Sequence, residues 1–235
     1  MNRNRLLLVA GAIGAAALLA VVLIVAVGNK SSSTTTTPVT TESSGPATAE
    51  QPFGTGIPQR GDTIGKPSAP ATLTVYEDPQ CPYCRDWDVN TLPAVISQFV
   101  RPGKIKLVYR GINIVGPNSD DGLRAIYAAG AQNKLWNLAT ALYARQGAEN
   151  SGWITRNVLL TVAADASANG PAILARMSSA AVTAQLRQAE QHATADQVRG
   201  TPTFVLERPP AVPQQLTISG LDPTSFVSAL SAALQ

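Results

Sequence analysis

The chain has 235 residues, a formal net charge of +3 and a pI of about 9.0; 45% of its residues are hydrophobic and 14% are charged. Arg3, Arg5, Lys30 and two of the 15 acidic residues precede Gln59, which leaves 15 basic against 13 acidic residues in the rest of the chain. This near balance argues against a nucleic-acid-binding surface, and two cysteines are too few for a disulfide-stapled scaffold.

The amino terminus has the pattern of a membrane anchor. Two arginines precede residues 6–27, a run of 22 residues without a charge. As a helix this run is about 33 Å long, enough to cross the apolar core of a bilayer. The positive-inside rule keeps the arginines in the cytoplasm and places the rest of the chain outside. The alternative is a cleaved signal peptide, since residues 26–28 fit a small-residue cleavage site, although such apolar cores usually span about 7–15 residues.

We therefore predict that residues 1–30 form a membrane anchor or signal, with a single pass, a cytoplasmic amino terminus and an extracytoplasmic domain. The protein is secreted instead if this segment is cut. In both cases the cysteines reach a compartment in which disulfides persist. Residues 31–58 are rich in Ser, Thr, Pro and Gly and poor in apolar side chains, so we predict a flexible linker there and a folded domain over 59–235.

The pattern of the folded domain predicts an α/β fold. The short apolar, β-branched run "ATLTVYE" predicts a buried strand at 71–77, and a helix follows from Pro82, with a kink expected at Pro93. Further strands are predicted at 104–112, 201–207 and 214–220, the last two as a hairpin. A block without strand signals, about 119–198, reads as helices over 120–146, 152–167, 171–178 and 180–197, and a final helix is predicted over 222–234, with Asp222 as its N-cap.

Chemistry is concentrated in "EDPQCPYCRDW", which contains Cys81 and Cys84 at the predicted junction of strand and helix. At a helix N-terminus, free N–H groups stabilise a thiolate, and a second cysteine one turn later can close a disulfide with the first. Cys81 and Cys84 are therefore the candidate catalytic residues and a redox-active disulfide. Pro82 and Tyr83 between them are expected to tune the thiolate.

Other uses of the two cysteines remain open at this point. A structural disulfide closing so small a loop would remove little chain entropy. Zinc needs four ligands, and haem attachment needs a histidine where Arg85 stands, so we predict neither. Soft thiolates can hold Cu(I), with His192 or a methionine as a further ligand. A copper carrier or delivery domain is thus the alternative function.

A resemblance supports the redox interpretation. The run "YEDPQCPYC", a strand, a helical block and then "RGTPTFVLE" (199–207) together resemble the DsbA-type branch of the thioredoxin superfamily over about residues 60–235. The resemblance implies a thioredoxin fold with an inserted helical domain, and a cis proline at Pro202 against the active-site disulfide. It also implies contact of Thr201 with the substrate backbone. No cofactor and no bound metal are expected.

The resemblance also implies the partners: cysteine-containing extracytoplasmic client proteins and a membrane redox partner that no residue here identifies. Two positions depart from the pattern. Tyr83 stands where the best-known oxidants of this branch have histidine, and Val75 stands where thioredoxins often bury an acid. We expect Glu77 and Asp78 to be solvated loop carboxylates, His192 to lie on the surface or pack, and the three tryptophans to lie in the core. The direction of disulfide exchange stays open, with oxidative folding favoured.

Overall fold

The computed structural model describes residues Phe53–Gln235, and the predicted anchor at residues 6–27 lies outside this range. A six-stranded sheet of order β1-β2-β4-β3-β5-β6 forms the centre. Its strands are β1 (Gln59–Arg60), β2 (Thr63–Ile64), β3 (Ala71–Glu77), β4 (Ile105–Gly111), β5 (Thr203–Glu207) and β6 (Gln214–Gln215). Only the central pair, β3 and β4, is parallel; the other neighbours are antiparallel.

The helices fall into three groups. A helical segment between β3 and β4 consists of α1 (Pro82–Asp86), a π-helical turn (Trp87–Thr91), α2 (Leu92–Val95) and a second π-helical turn (Ile96–Val100). The insertion between β4 and β5 contains α3 (Ser119–Ala129), a 3-10 turn (Gly130–Gln132), α4 (Leu135–Ala144), α5 (Arg156–Asp165), α6 (Gly170–Arg176) and α7 (Ala180–Ala195). The last helix is α8 (Pro223–Ala233).

This arrangement confirms the α/β prediction, the β5–β6 hairpin and the helical insertion. The strand predicted at 71–77 has the observed bounds, and the side chain of Asp222 caps α8 by accepting a hydrogen bond from the N–H of Ser225 at 3.0 Å. The predicted helix over 120–146 is divided in the structure, because Asn133 adopts a left-handed backbone with φ of 55°. The helix continues through Pro93, whose missing N–H is accommodated between the two π-helical turns.

The core lies on both sides of β3 and β4. Trp87 forms an aromatic cluster with Phe204 and Phe226, with ring centroids 5.1 and 5.8 Å away, which joins the active-site helix to β5 and α8. Trp136 packs edge-on against Tyr109 at 5.7 Å on the side of the insertion. These two tryptophans are fully buried, as predicted for the core, whereas Trp153 is half-buried.

The predicted linker boundary at residue 58 is wrong for residues 53–58. Ile57 is buried, and the carbonyl oxygen of Phe53 accepts a hydrogen bond from Asn137 Nδ2 at 2.7 Å. These two residues have the large apolar side chains that are rare in the preceding Ser/Thr-rich sequence. Within Phe53–Gln235, no helix combines the length and the apolar character needed to cross a bilayer.

Candidate active site

Cys81 lies where β3 gives way to α1. β3 ends at Glu77, and a tight turn follows in which the N–H of Cys81 donates to the carbonyl oxygen of Asp78 at 3.0 Å. Cys81 is the N-cap residue, with an extended backbone (φ −69°, ψ 119°). Pro82 occupies the first turn of the helix, where the N–H that proline lacks would have no intrahelical acceptor. The N–H of Arg85 then donates to the carbonyl oxygen of Cys81 at 3.1 Å and starts the helix.

The structure brings the predicted site residues together across 120 positions of sequence. Cys81 and Cys84 are both free thiols and both buried, the first 5% exposed and the second fully enclosed. The Cys81 Sγ donates to the carbonyl oxygen of Thr201 at 3.2 Å. The Thr201–Pro202 peptide bond is cis, which confirms the geometry that the resemblance implied for Pro202.

The residues between the cysteines face outward. The side chain of Tyr83 is 65% exposed, and Pro82 is exposed as well. Tyr83 therefore presents a large aromatic surface one residue before the buried Cys84. Its backbone N–H, by contrast, contributes to the stabilisation of the Cys81 thiolate.

The two thiols differ in their readiness to ionise. Hydrogen bonding with Cys84 lowers the pKa of Cys81 to about 6 against the opposing effect of burial, and the Thr201 side chain and the N–H groups of Cys84 and Tyr83 add to this lowering. Burial raises the pKa of Cys84 well above its ordinary value, and the hydrogen bond to Cys81 and the charge of Glu77 raise it further. Cys81 is thus the more acidic of the two thiols, and Cys84 keeps its proton to a higher pH.

The expectation that Glu77 is a solvated loop carboxylate is wrong. Glu77 is the last residue of β3 and fully buried, and neither carboxylate oxygen has a hydrogen-bond partner of normal geometry within Phe53–Gln235. Burial raises its pKa well above the ordinary range, negative charge at Asp88 and Cys81 adds to the rise, and the Tyr143 hydroxyl partly offsets it. A buried acid is therefore present beside the cysteines even though Val75 occupies the position where one was sought.

Asp88, on the π-helical turn that follows α1, is a second buried carboxyl. Its Oδ2 accepts a hydrogen bond from the Thr140 hydroxyl at 3.2 Å, and its Oδ1 has no partner within the described part of the chain. Burial raises the pKa of Asp88 to about 8. Glu77 and Asp88 are thus two buried carboxyls with raised pKa values, and negative charge at Asp88 raises that of Glu77.

Asp78 is also buried, again contrary to the solvated expectation, but its carboxylate is fully paired. Oδ1 accepts from the N–H of Gln80 at 2.8 Å and from the Ser119 hydroxyl at 2.6 Å, and Oδ2 accepts from the N–H groups of Ile114 and Val115 at 2.8 and 2.9 Å. These bonds tie the loop after β4 and the start of α3 to the active-site turn. Asp78 has a structural role at the site.

Two glutamines that were not among the predicted site residues also contact this turn. Gln80 is fully buried and bonds to the helical insertion, and Gln146 from the insertion bonds to the turn. Glutamines in loops are ordinarily solvated, and no spacing or motif marks these two. Only the packing of the insertion against the turn identifies them.

His192 was the candidate further ligand for Cu(I). His192 is exposed near the end of α7. No group of three or more His, Cys, Asp or Glu side chains between Phe53 and Gln235 is arranged to hold a metal ion. The cysteines therefore lack a third ligand of these types within that range.

Comparison with known proteins places this site in a family. A sequence model of the thioredoxin family matches residues 59–209, which contain the cysteines, the cis proline and the insertion. The chain belongs to the thioredoxin family. The fold of this thioredoxin-family protein is DsbA-like, with helices inserted between β4 and β5.

Several known proteins are similar to this chain. The probable disulfide bond formation protein D of Bacillus cereus is 32% identical over 102 residues, 43% of this chain and 47% of that protein. The chain thus spans about half the length of this curated relative. A thioredoxin-like oxidoreductase from Silicibacter pomeroyi is 26% identical, with a TM-score of 0.57 over 75% of this chain and 91% of that one. BdbD from Bacillus subtilis, 17% identical, shares the fold, with a TM-score of 0.63 over 76% of this chain and 97% of that one.

Proposed function

We propose that this protein is a thiol–disulfide oxidoreductase that exchanges disulfides with client proteins through Cys81 and Cys84. The observation that carries the proposal is the asymmetry of the pair: the pKa of Cys81 is lowered to about 6 at a helix start, whereas burial raises that of Cys84. A structural disulfide needs no such difference. A nucleophile followed by a resolving thiol does.

In the oxidative direction, a substrate thiolate attacks Cys81 Sγ of the Cys81–Cys84 disulfide. The S–S bond breaks, Cys84 leaves with the electron pair and takes up a proton, and a mixed disulfide joins the substrate to Cys81. A second substrate thiolate then attacks the substrate sulfur of the mixed disulfide, and Cys81 leaves as a thiolate. Two electrons have passed to the cysteine pair, and the substrate carries the new disulfide.

Glu77 fits the proton transfer at Cys84. Its charge affects the pKa of Cys84 and its own pKa is raised, so the carboxyl can give a proton to the departing Cys84 thiolate. In the reductive direction the ionised carboxylate would take that proton back as Cys84 attacks. Tyr83 and the Thr201–Pro202 segment flank the sulfur at which the substrate arrives, which is the place for contacts to the client.

The low pKa of Cys81 favours disulfide donation. A stabilised thiolate stabilises the reduced protein and makes the disulfide form the stronger oxidant. The name of the Bacillus cereus relative, a probable disulfide bond formation protein, agrees with this direction. We infer that the protein acts in oxidative folding.

The proposed location rests on the amino-terminal sequence. Residues 6–27 would anchor the protein in the cell membrane, with Arg3 and Arg5 in the cytoplasm and the catalytic domain outside. Client proteins would then be cysteine-containing extracytoplasmic chains. Regeneration of the disulfide requires an electron acceptor, for which a membrane redox partner is proposed.

The test is disulfide exchange by the full-length protein in detergent with a reduced dithiol peptide. Cys81→Ser should abolish exchange, and Cys84→Ser should accumulate a mixed disulfide. Because the chain has no other cysteine, that adduct must form at Cys81.

The reduction potential of the Cys81–Cys84 pair tests the direction of exchange. A value of about −120 mV supports an oxidase, and a value of about −270 mV supports a reductase. Unchanged turnover in either variant would refute the assignment. Stoichiometric Cu(I) binding with no exchange would favour the copper carrier.

A further inference from the structure

The helical insertion contacts the active-site turn through Gln146. This residue lies just after α4, and its Nε2 donates to the carbonyl oxygens of both Pro79 and Cys81, at 2.9 and 3.0 Å. Two carbonyl acceptors require the NH₂ group of the amide, which has two hydrogens to offer. One side chain of the insertion thus binds the backbone on both sides of Gln80.

A second amide holds the same turn from within. The side chain of Gln80 donates to Ser119 Oγ at 3.0 Å and to Asn150 Oδ1 at 3.3 Å, and it accepts from the N–H of Asn150 at 2.8 Å. All of its polar atoms are therefore paired, as a fully buried amide requires. α3 comes close enough to support this contact because Gly122 has no side chain; a Cβ there would lie 2.9 Å from Pro79 Cγ.

The bond to the Cys81 carbonyl has a direct geometric consequence. That oxygen also accepts the first helical hydrogen bond, from Arg85, so the Gln146 amide and the helix together fix the Cys81 peptide plane. The orientation of this plane is the ψ angle of Cys81, 119°. This angle in turn determines where Sγ lies relative to the N–H groups of Tyr83 and Cys84 at the start of the helix.

We propose that Gln146 is a positioning residue for Cys81, through which the helical insertion holds the nucleophilic sulfur against the N–H groups of the helix start. Gln146 does not touch the reacting atoms and acts only through the backbone of the turn. This inference deepens the proposed function, on which its redox consequence rests. The insertion is then part of the redox centre and not only a cover over it.

The test replaces Gln146 by leucine in the full-length protein, which keeps the side chain's bulk and removes both donated hydrogen bonds. The readout is the rate of Cys81 alkylation by iodoacetamide across pH 4–9, with reduced protein. With the turn released, the alkylation rate at pH 6 should fall about threefold to tenfold and its midpoint should move to higher pH. The equilibrium with glutathione should shift by a similar factor toward the disulfide form.

Gln132→Leu is the matched control. Gln132 is also half-buried in the insertion and also bonds to backbone, donating to the Asn169 carbonyl oxygen at 3.2 Å and accepting from the Asn169 N–H at 2.8 Å. Gln132 has no bond to the active-site turn. The Gln132→Leu variant should therefore lose about as much stability as Gln146→Leu but keep the wild-type dependence of alkylation rate on pH. Equal profiles for the two variants would overturn the proposal.

Gln146→Glu provides a second variant of the same length. Its ionised carboxylate cannot donate and would repel the two carbonyl oxygens, so the midpoint should rise more than in the leucine variant. A midpoint equal to that of the wild type in both variants contradicts the inference. Because alkylation requires no turnover, this result is separate from the proposed function, which is tested by disulfide exchange in the wild-type protein and its two cysteine variants.

Discussion

The contribution of Cys81 to the stability of the reduced protein should fall as the pH falls from 7 to 5, because folding favours the Cys81 thiolate. In the folded state the pKa of Cys81 is about 6, against an ordinary value of 9.0 in the unfolded chain. A group whose pKa is lowered by folding contributes stability that is fully present above the unfolded value. That contribution is lost as the pH falls through the folded value.

The magnitude follows from these two values. At pH 7 a thiol with a pKa of about 6 is about 90% ionised and one with a pKa of 9.0 is about 1% ionised, so the linkage contribution is about 1 kcal/mol. At pH 5 the same expression yields almost no contribution. For a two-electron couple, about 1 kcal/mol corresponds to about 20 mV of more oxidising potential at pH 7.

The assay is urea unfolding of the reduced wild-type protein and of Cys81→Ser at both pH values. The difference between the two proteins largely cancels the other titrating groups and should shrink by about 1 kcal/mol from pH 7 to pH 5. Iodoacetamide alkylation of the wild type should have its midpoint near pH 6. A midpoint at pH 8 or above, together with a difference that does not depend on pH, would refute the reasoning.

Three further changes have defined outcomes. Thr201→Val removes a side-chain hydrogen bond that lowers the pKa of Cys81, so alkylation at pH 6 should slow about threefold to tenfold. Glu77→Met removes an unpaired buried carboxyl and should stabilise the protein by about 1–3 kcal/mol in urea unfolding at pH 8. This gain should grow with pH, because a raised carboxyl pKa penalises the folded state as the group ionises, and resolution by Cys84 should slow. Phe226→Ala should cost about 3–5 kcal/mol in the same unfolding assay, because it opens the aromatic cluster.

The first two of these changes each have a control in the same protein. Thr194→Val removes an exposed hydroxyl in α7 and should leave alkylation unchanged. Asp121→Asn changes an exposed carboxyl and should show no comparable pH-dependent gain. If Glu77→Met destabilised the protein at pH 8 while leaving resolution intact, Glu77 would have a paired structural role instead.

The sequence predicts those parts of the fold that have local signals. β3 is continuous, β-branched and bounded by turn residues, and the Asp222-Pro223 pair is a direct helix-start signal, so both elements lie where the pattern places them. The short strands β1 and β2 were not predicted, because two residues have no readable periodicity. Their pairing is determined by the neighbouring β4, to which β2 bonds through the backbone.

The sequence predicts which residues lie around the sulfur atoms of the site, but it does not predict that the neighbouring carboxylates are buried. Cys81, Cys84 and the Thr201–Pro202 segment are marked by motifs, and the structure brings Cys81 into contact with Thr201. The burial of Glu77 and Asp78 follows from packing of the insertion over the end of β3, a contact between segments far apart in sequence. From sequence alone, an aspartate followed by a proline, as in Asp78-Pro79, predicts a solvated loop residue, because the packing of the insertion is not visible there.

The ends of the sheet have a consequence for handling unfolded clients. β1 and β6 are two residues long, and Pro213 directly precedes β6. A long exposed edge offers a row of free N–H and C=O groups on which a foreign extended chain can add as another strand. Edges this short offer few N–H and C=O groups for strand pairing, so an extended chain can reach the sulfur without adding to the sheet as a strand. Under the proposed function, release of a client would then require no strand pairing at the sheet edges to be broken.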